Sequence, residues 1–178
     1  MPIEVERKNK SLLRFEDLKT EYLIKTFART TNKQFENYVV NAIWNRLGRF
    51  DLQPVTQQYV KRKSGKYALL DLYFPQLNVG IECDESHHQD HVDEDEERAK
   101  SVSDILNAID ETKNFEMLRI DASKTIDEID RQIDECVTKI RSRIGDTVVP
   151  WRIINKPAEE VLKNGRISVD DRLEFRTI

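Results

Sequence analysis

The amino-acid sequence predicts an α/β fold in which helices flank a mixed central β-sheet. Two observations lead to this prediction. Stretches with apolar residues at helical spacing alternate with short stretches of β-branched and aromatic residues, in the order helix, three strands, helix, strand, helix. Strands joined by short turns pair antiparallel, whereas a strand that follows a helix tends to pair parallel. We therefore expect antiparallel hairpins and one parallel strand.

The first predicted helix lies in KQFENYVVNAIWNRLG, because its apolar residues recur at helical intervals and Gly48 provides a stop. The next two segments, QPVTQQYVKRKSG and KYALLDLYF, predict strands joined by a basic turn at residues 63–65. The segment LNVGIECDE predicts a third strand, which a Pro-containing turn separates from the second. These short connections predict antiparallel pairing of the three strands.

The remaining segments predict a charged helix, a short strand and a last helix. The charged helix is VDEDEERAKSVSDILNAIDETKN and the strand is FEMLRIDAS. The last helix, TIDEIDRQIDECVTKIRSRIG, has one apolar stripe, formed by Ile126, Ile129, Ile133, Cys136, Val137 and Ile140. We divide the chain into an N-terminal helical segment (residues 1–32), a core (33–144) and a C-terminal extension (145–178).

Charge is distributed unevenly along the 178 residues, whose formal net charge is −4. Residues 1–66 hold 14 basic and 7 acidic side chains, residues 67–135 hold 6 and 20, and residues 136–178 hold 9 and 6. An acidic centre between basic segments suits a cation site inside a groove for a polyanion. A solvated surface is the alternative meaning of such charge runs.

Composition excludes several classes of protein. No apolar run approaches the roughly 20 residues that a membrane span requires, and the first residues lack the apolar centre of a secretory signal. We expect no membrane association and a cytoplasmic location. Cys83 and Cys136 lack the paired spacing of a disulfide framework or a four-cysteine zinc site, so we expect reduced thiols.

Carboxylates interrupt the second and third predicted strands. If the residues PQLN (75–78) form a four-residue hairpin loop, Phe74 faces Val79 and Asp71 faces Glu82. Strict alternation then divides the side chains between two faces. One face carries Asp71, Glu82 and Asp84, and the other carries Leu70, Leu72, Phe74, Val79, Ile81 and Cys83.

Opposed carboxylates repel each other across a hairpin unless a cation lies between them. Mg²⁺ or Mn²⁺ would resolve this conflict, because hard divalent ions prefer oxygen ligands. The pattern therefore predicts a metal site at Asp71, Glu82 and Asp84, with the backbone carbonyl of Cys83 as a further ligand. The alternative is a solvated sheet face whose acidic residues are neutralised by Lys or Arg of neighbouring strands.

The stretch LLDLYFPQLNVGIECDESHH, followed by DEERAKSV and FEMLRIDAS, resembles the core of the PD-(D/E)XK nuclease superfamily. It is most similar to the branch related to the very-short-patch repair endonucleases. The family pattern falls on Asp71, Glu82, Asp84, His88, Arg98 and Arg119. Glu36 takes the place of the acidic residue of the first helix, and Gln53 and Pro54 stand at the start of the first strand. The resemblance covers residues 33–143.

This resemblance implies a restriction-endonuclease-like core and a metal-dependent endonuclease that hydrolyses DNA. Asp71 and Glu82 would be the main ligands of Mg²⁺ or Mn²⁺, with Asp84 as an additional ligand. Glu36 would support these ligands or hold a second ion. The ion would polarise the phosphate and lower the pKa of a bound water.

The sequence departs from the family pattern at one position. Asp84 replaces the lysine usually found two residues after the glutamate, so the base that activates water is not specified. We predict His88 for this role, because a neutral imidazole can accept a proton near physiological pH. His87 and His91 are alternatives, and all three histidines could instead form a zinc site that lacks an obvious fourth ligand.

The basic turn suggests contacts with nucleic acid. Lys61, Arg62, Lys63 and Lys66 are predicted to bind phosphates of DNA, although such a turn can also serve only solubility. Arg98 and Arg119 have a structural alternative as well, in which they pair with the acidic residues 93–97.

Three functions follow from these patterns. The first is a restriction or repair endonuclease acting on DNA, which we expect to be double-stranded. The second is a non-cleaving relative that binds nucleic acid or serves as a subunit of a larger nuclease, and the third is an acidic interaction domain. The chain has no zinc-finger or helix-turn-helix pattern, so target recognition would need loops, the C-terminal segment, a homodimer or a separate recognition subunit.

Overall fold

The structure, a computed structural model, describes residues 19–20, 22–24, 26–30, 33–84, 92–109 and 112–145. Helical residues among 19–28 precede the main elements. These elements follow the predicted order, which is α1 (Gln34–Leu47), β1 (Val55–Lys61), β2 (Tyr67–Phe74), β3 (Val79–Asp84), α2 (Val92–Ile109), β4 (Glu116–Asp121) and α3 (Ile126–Arg143). No helix in the described ranges is long and apolar enough to cross a membrane.

The four strands form one mixed sheet in the order β1-β2-β3-β4. β1 and β3 both pair antiparallel with β2, and β4 pairs parallel with β3, as the connections predict. The predicted hairpin register is confirmed, since Phe74 faces Val79 and Leu72 faces Ile81. The parallel pair places Glu82 beside Arg119 and Asp84 beside Asp121.

Helices cover both faces of the sheet, and each face has its own apolar core. The first core lies between the sheet and helices α1 and α3, and includes Leu72, Phe74, Val79, Ile81, Ile43 and Ile133. The second core lies between the sheet and α2, and includes Val55, Val60, Leu70, Tyr73, Val102 and Leu106. Cys83 packs against the first core, as the hairpin pattern predicts.

The apolar stripe of α3 is confirmed except at its first residue. Ile129, Ile133 and Ile140 are fully buried, but Ile126 is 53% exposed. Thr125 caps this helix and forms a reciprocal capping box with Glu128. Ile126 follows the cap directly, so it lies on the first turn before the helix reaches the core.

Helix α1 is attached to α3 by a polar cluster on the surface. The Arg46 guanidinium contacts Asp130 at 2.5 Å and Asp134 at 3.0 Å. The Tyr38 hydroxyl donates a hydrogen bond of 2.7 Å to the same Asp130 carboxylate. Glu36 lies two residues before Tyr38 in the same helix, so this attachment of α1 also positions the backbone that carries Glu36.

Strand β2 reverses the face of its side chains at Asp71. Strict alternation predicts Leu70 on the same face as Leu72, and this prediction is wrong, because Leu70 lies in the second core. On β1, the opposite residue Gln57 has a left-handed backbone with φ of 52°. The ladder pairs the residues on both sides but skips Gln57 and Asp71. The missing pair between Gln57 and Asp71, together with the left-handed backbone of Gln57, explains why Leu70 and Leu72 lie on opposite faces of the sheet.

Gly80 leaves room for two side chains of the second core. A Cβ atom at this position would lie 3.0 Å from Cζ of Phe115 and 3.1 Å from Cδ1 of Leu70. We expect Gly80→Ala to lower the free energy of unfolding by about 1–3 kcal/mol, because the methyl group overpacks this contact. Urea denaturation would measure the loss, and adding Phe115→Leu should recover part of it. A Gly80→Ala variant as stable as the parent would contradict this packing.

Candidate active site

A cavity of about 440 Å³ lies where the β2–β3 ladder stops, beyond the pair of Leu72 and Ile81. Its lining combines acidic and basic side chains from both sides of this gap. It includes Lys33, Glu36, Gln57, Tyr67, Leu69, Asp71, Glu82, Cys83, Asp84, Asp95, Arg98 and Arg119. The structure thus brings together the predicted carboxylates Glu36, Asp71, Glu82 and Asp84.

Asp71 takes the place of a backbone acceptor at the end of the ladder. Its Oδ2 accepts a hydrogen bond of 2.8 Å from the backbone N–H of Cys83, and its Oδ1 accepts one of 3.2 Å from Nε2 of Gln57. Burial raises the pKa of the Asp71 carboxyl, and the Cys83 hydrogen bond opposes this rise. The pairing of β2 with β3 ends at Leu72 and Ile81, so the predicted pair of Asp71 and Glu82 is not part of the ladder, although both residues line one cavity.

Glu36 reaches the same cavity from the first turn of α1. Its Oε1 accepts a hydrogen bond of 2.5 Å from Nε2 of Gln57, and its Oε2 lies 2.6 Å from Nζ of Lys33. Burial, followed by the charge of Asp71, raises the pKa of Glu36 to about 7, while Lys33 opposes the rise. The Gln57 amide therefore bridges two carboxyl groups that repel each other when both are ionised.

Two arginines contact the carboxylates of β3. Nη2 of Arg98 lies 2.9 Å from Oε1 of Glu82, and Arg119 lies 3.7 Å from Oε2 of Glu82. Arg119 also makes two hydrogen bonds of 2.7 Å with the carboxylate of Asp84. Burial raises the pKa of Glu82, and the two arginines oppose this effect. The hydrogen bonds with Asp84 raise the pKa of Arg119 further above its ordinary value.

The described ion pairs of Arg98 and Arg119 are with β3 rather than with residues 95–97, although the charge of Asp95 also raises the pKa of Arg119. Arg98 and Arg119 contact Glu82 and Asp84, which the sequence assigns to metal binding. In the described part of α2, the ion pair found within residues 93–97 joins Glu97 to Arg62 at 3.5 Å. Arg62 is therefore engaged with α2, whereas Lys61, Lys63 and Lys66 are exposed.

We expect Arg98→Met to lower the free energy of unfolding by about 2 kcal/mol, because Glu82 is 7% exposed and would lose a charged hydrogen-bond donor. Chemical denaturation of a double-mutant cycle with Glu82→Gln would measure the coupling. The double variant should be more stable than Arg98→Met alone, since it removes the buried charge. Additive losses would show that the two residues do not interact.

The cavity offers the oxygen donors that a hard divalent ion requires. Asp71 and Glu82 both line it, and the charge of Asp71 raises the pKa of Glu82. Asp84 fits less well, because Arg119 contacts both of its oxygens. Among the described side chains, no three His, Cys, Asp or Glu residues are arranged to hold a metal ion. Because Arg98 contacts Glu82 and Arg119 contacts Asp84, an ion bound to these carboxylates would require both arginine contacts to change.

Sequence reasoning missed several residues that line the cavity, and some of the predicted site residues lie outside the described part of the chain. Lys33, Gln57 and Tyr67 line the cavity but were not predicted to do so. A polar Gln57 in the middle of a buried strand was a signal that could have identified it. His87, His88 and His91 lie outside the described residues, so the histidine predictions and the zinc alternative stay predictions.

The mixed sheet, its covering helices and the cavity define a restriction-endonuclease-like α/β protein. The chain belongs to the family described as "Restriction endonuclease PvuRts1 I-like, N-terminal", whose pattern matches residues 20–148. The narrower resemblance to the PD-(D/E)XK superfamily and its very-short-patch repair branch stays a prediction.

One similar solved structure is "The 5-Hydroxymethylcytosine-Specific Restriction Enzyme AbaSI". The two chains share 29% sequence identity with a TM-score of 0.56 over 75% of this chain. The similarity spans 51% of AbaSI, about half of its length. A search of curated proteins found no significant match.

Proposed function

We propose that this chain is a metal-dependent endonuclease of the restriction type, which hydrolyses phosphodiester bonds in double-stranded DNA. The observation that carries the proposal is the cavity in which Glu36, Asp71 and Glu82 meet, within a chain of a restriction-endonuclease family. Groups with perturbed pKa values in a cleft are typical of catalytic sites. A restriction function also implies a cytoplasmic location, which we propose on the same ground.

Asp71 and Glu82 would hold a Mg²⁺ or Mn²⁺ ion, and the Cys83 carbonyl and Asp84 would add further ligands. When bound, the ion supplies charge stabilisation at the phosphate and lowers the pKa of water. Gln57 orients the Asp71 carboxylate through the hydrogen bond described above. Glu36 supports the same arrangement through Gln57, which holds the two carboxyl groups in a defined geometry.

The arginines have two roles in this proposal. In the metal-free protein Arg98 and Arg119 neutralise Glu82 and Asp84, whose charges are partly buried. If a cation neutralised these carboxylates, Arg98 and Arg119 would be able to contact phosphate oxygens instead, because arginine binds carboxylate and phosphate groups alike. The cation would then balance the charges of Glu82 and Asp84, and the phosphate would balance those of the two arginines.

We propose His88 as the group that accepts the proton of the attacking water, in place of the lysine of the PD-(D/E)XK pattern. His88→Ala should lower kcat by about 10²–10⁴-fold, the range for general-base catalysis, with little change in metal affinity. The pH–rate profile of the variant is the informative measurement, since the parent should lose activity as the imidazole becomes protonated. An unchanged rate and profile would exclude His88, and His87→Ala and His91→Ala would then be measured in the same way.

The DNA substrate is a further part of the proposal. AbaSI is described as specific for 5-hydroxymethylcytosine, and we propose DNA with this modification as the preferred substrate. Because the similarity spans about half of AbaSI, recognition of the modified base by this chain alone is not implied. A homodimer or a separate recognition subunit would then supply recognition of the modified base.

Incubation with plasmid DNA tests the proposed function. Unmodified DNA and DNA with 5-hydroxymethylcytosine would each be incubated with Mg²⁺, with Mn²⁺ and with a chelator. Cleavage that requires the metal and is lost with the chelator is the expected result. Gel mobility distinguishes a nicked plasmid from a linear one, and thus single-strand from double-strand cutting. Absence of cleavage under all conditions would contradict the proposal.

The second candidate is a non-cleaving relative that binds nucleic acid or forms a subunit of a larger nuclease. The observation in its favour is Asp84, which stands where the PD-(D/E)XK pattern has a lysine and is bound to Arg119. This candidate would be favoured if the protein binds DNA but cleaves it neither with Mg²⁺ nor with Mn²⁺.

A further inference from the structure

The hairpin of β1 and β2 has one outer face that the core does not cover. Val60, Ala68 and Leu70 lie in the second core, and the alternating residues between them point away from it. These outward residues are Tyr59, Lys61, Tyr67 and Leu69, with Lys61 paired to Tyr67 and Tyr59 paired to Leu69. Tyr67 and Leu69 also line the cavity, so the outer face is continuous with the candidate active site.

Two tyrosines form a stacked pair on this face. The ring centroids of Tyr59 and Tyr67 are 5.3 Å apart, with 24° between the ring planes. Tyr67 is nevertheless 56% exposed. Stacking on Tyr59 holds the Tyr67 ring in place, so a ligand that packs against it costs little additional side-chain entropy.

Three exposed lysines lie on the same hairpin as this aromatic pair. Lys61 lies opposite Tyr67 on the hairpin, and Lys63 and Lys66 lie in the turn that joins the strands. Within the described ranges no carboxylate forms an ion pair with these lysines, whereas the neighbouring Arg62 pairs with Glu97. The lysine charges are therefore available to an anion. They stand beside a cavity whose carboxylates would otherwise repel a polyanion.

We propose that this face, formed by Tyr59, Lys61, Tyr67 and the turn lysines, holds the DNA strand that enters the cavity. Tyr67 packs against the nucleotide next to the cleaved phosphodiester, and Lys61, Lys63 and Lys66 contact phosphates further along the strand. The inference rests on the proposed function and adds a nucleotide contact to it. Aromatic packing is independent of salt, whereas each phosphate contact releases counterions, so the two kinds of contact can be measured separately.

Equilibrium binding of a DNA duplex in the presence of a chelator tests this proposal without cleavage. Tyr67→Ala should weaken binding about tenfold with an unchanged salt dependence, because it removes the packing of the ring against the nucleotide but no charge. Lys61→Ala should weaken binding and reduce the slope of log K against log salt by about 1. Tyr67→Phe should bind as the parent does. The control variant is Phe50→Ala, which removes an exposed aromatic residue that does not line the cavity.

The stacked tyrosines could instead serve only the stability of the hairpin, and thermal denaturation of each variant separates the two roles. Tyr67→Leu keeps an apolar side chain on Tyr59 but removes the flat ring, so it should fold normally and still bind weakly. Parent-like affinity of a folded Tyr67→Leu or Tyr67→Ala variant would overturn the proposed face while leaving the nuclease proposal intact. Failure of the parent itself to bind or cut any DNA would overturn both.

Discussion

Asp71→Asn is expected to reduce DNA cleavage by about a thousandfold or more, since it removes an ionised ligand from the proposed metal site. The metal's stabilisation of the transition state is worth several kcal/mol, and about 4 kcal/mol corresponds to a thousandfold change in rate. Single-turnover cleavage of plasmid DNA at saturating Mg²⁺ would measure this loss. Isothermal titration with Mn²⁺ should show weaker binding in the same variant.

The same substitution is expected to leave the metal-free fold as stable as the parent, or more stable. Burial raises the pKa of Asp71, which means that its ionised form is disfavoured in the folded protein. Asparagine cannot ionise, yet its amide oxygen can still accept the hydrogen bond from the Cys83 N–H. Asp71→Ala is the poorer probe, because it removes that acceptor.

Asp51→Asn provides a matched control. Asp51 pairs with Arg49 at 2.6 Å on the surface and does not line the cavity. This variant should cleave DNA at the parental rate. If Asp71→Asn unfolds, or if it cleaves as fast as Asp51→Asn, Asp71 is a structural residue and the metal site is wrongly assigned.

The second large effect is on stability as a function of pH. Glu36 has a pKa of about 7 in the folded protein against an ordinary value of 4.5. The folded state therefore holds this proton more tightly than the unfolded chain does. The contribution of Glu36 to the free energy of unfolding is greatest below about pH 4.5. It decreases as the pH rises to about 7, by about 3 kcal/mol in total. The raised pKa values of Asp71 and Glu82 act in the same direction.

Denaturation in a chelating buffer at several pH values between 4.5 and 8 would measure this loss. Glu36→Gln should flatten the dependence and make the protein more stable than the parent at pH 8, because glutamine can accept the Gln57 hydrogen bond without a charge. Mg²⁺ should stabilise the parent at pH 8 more than at pH 5, where the carboxyl groups are protonated. An undiminished pH dependence in Glu36→Gln would show that another group is responsible.

Carboxyl groups with lowered pKa values act in a different pH range. Hydrogen bonds lower the pKa of Asp51 and Asp130, with Arg49 and Tyr38 as the main donors. Their stabilising effect is present above the ordinary aspartate pKa and is lost only as pH falls below it. The expected loss between pH 4.5 and 7 therefore reports on the cavity rather than on these surface pairs.

The order of the elements, the mixed sheet and the hairpin register were predictable from sequence because they depend on short-range patterns. The spacing of apolar residues determines helix and strand, and a four-residue turn determines that Phe74 faces Val79. The same reasoning identified Asp71 and Glu82 as neighbours around one site. The rule of strict alternation failed at Leu70, because it cannot anticipate the left-handed backbone of Gln57 on the adjacent strand.

The sequence by itself therefore determined the fold class, the register of the β2–β3 hairpin as far as Leu72 and Ile81, and four of the carboxylates that meet in the cavity. Only the tertiary structure decided which charges neutralise them and which side chain orients them. Gln57 contacts Glu36 across 21 positions, and Arg98 contacts Glu82 across 16. Such contacts join separate elements, so their geometry depends on how the helices pack against the sheet. Burial in that packing also raises the pKa values of the carboxyl groups, and burial is not a property of any local stretch of sequence.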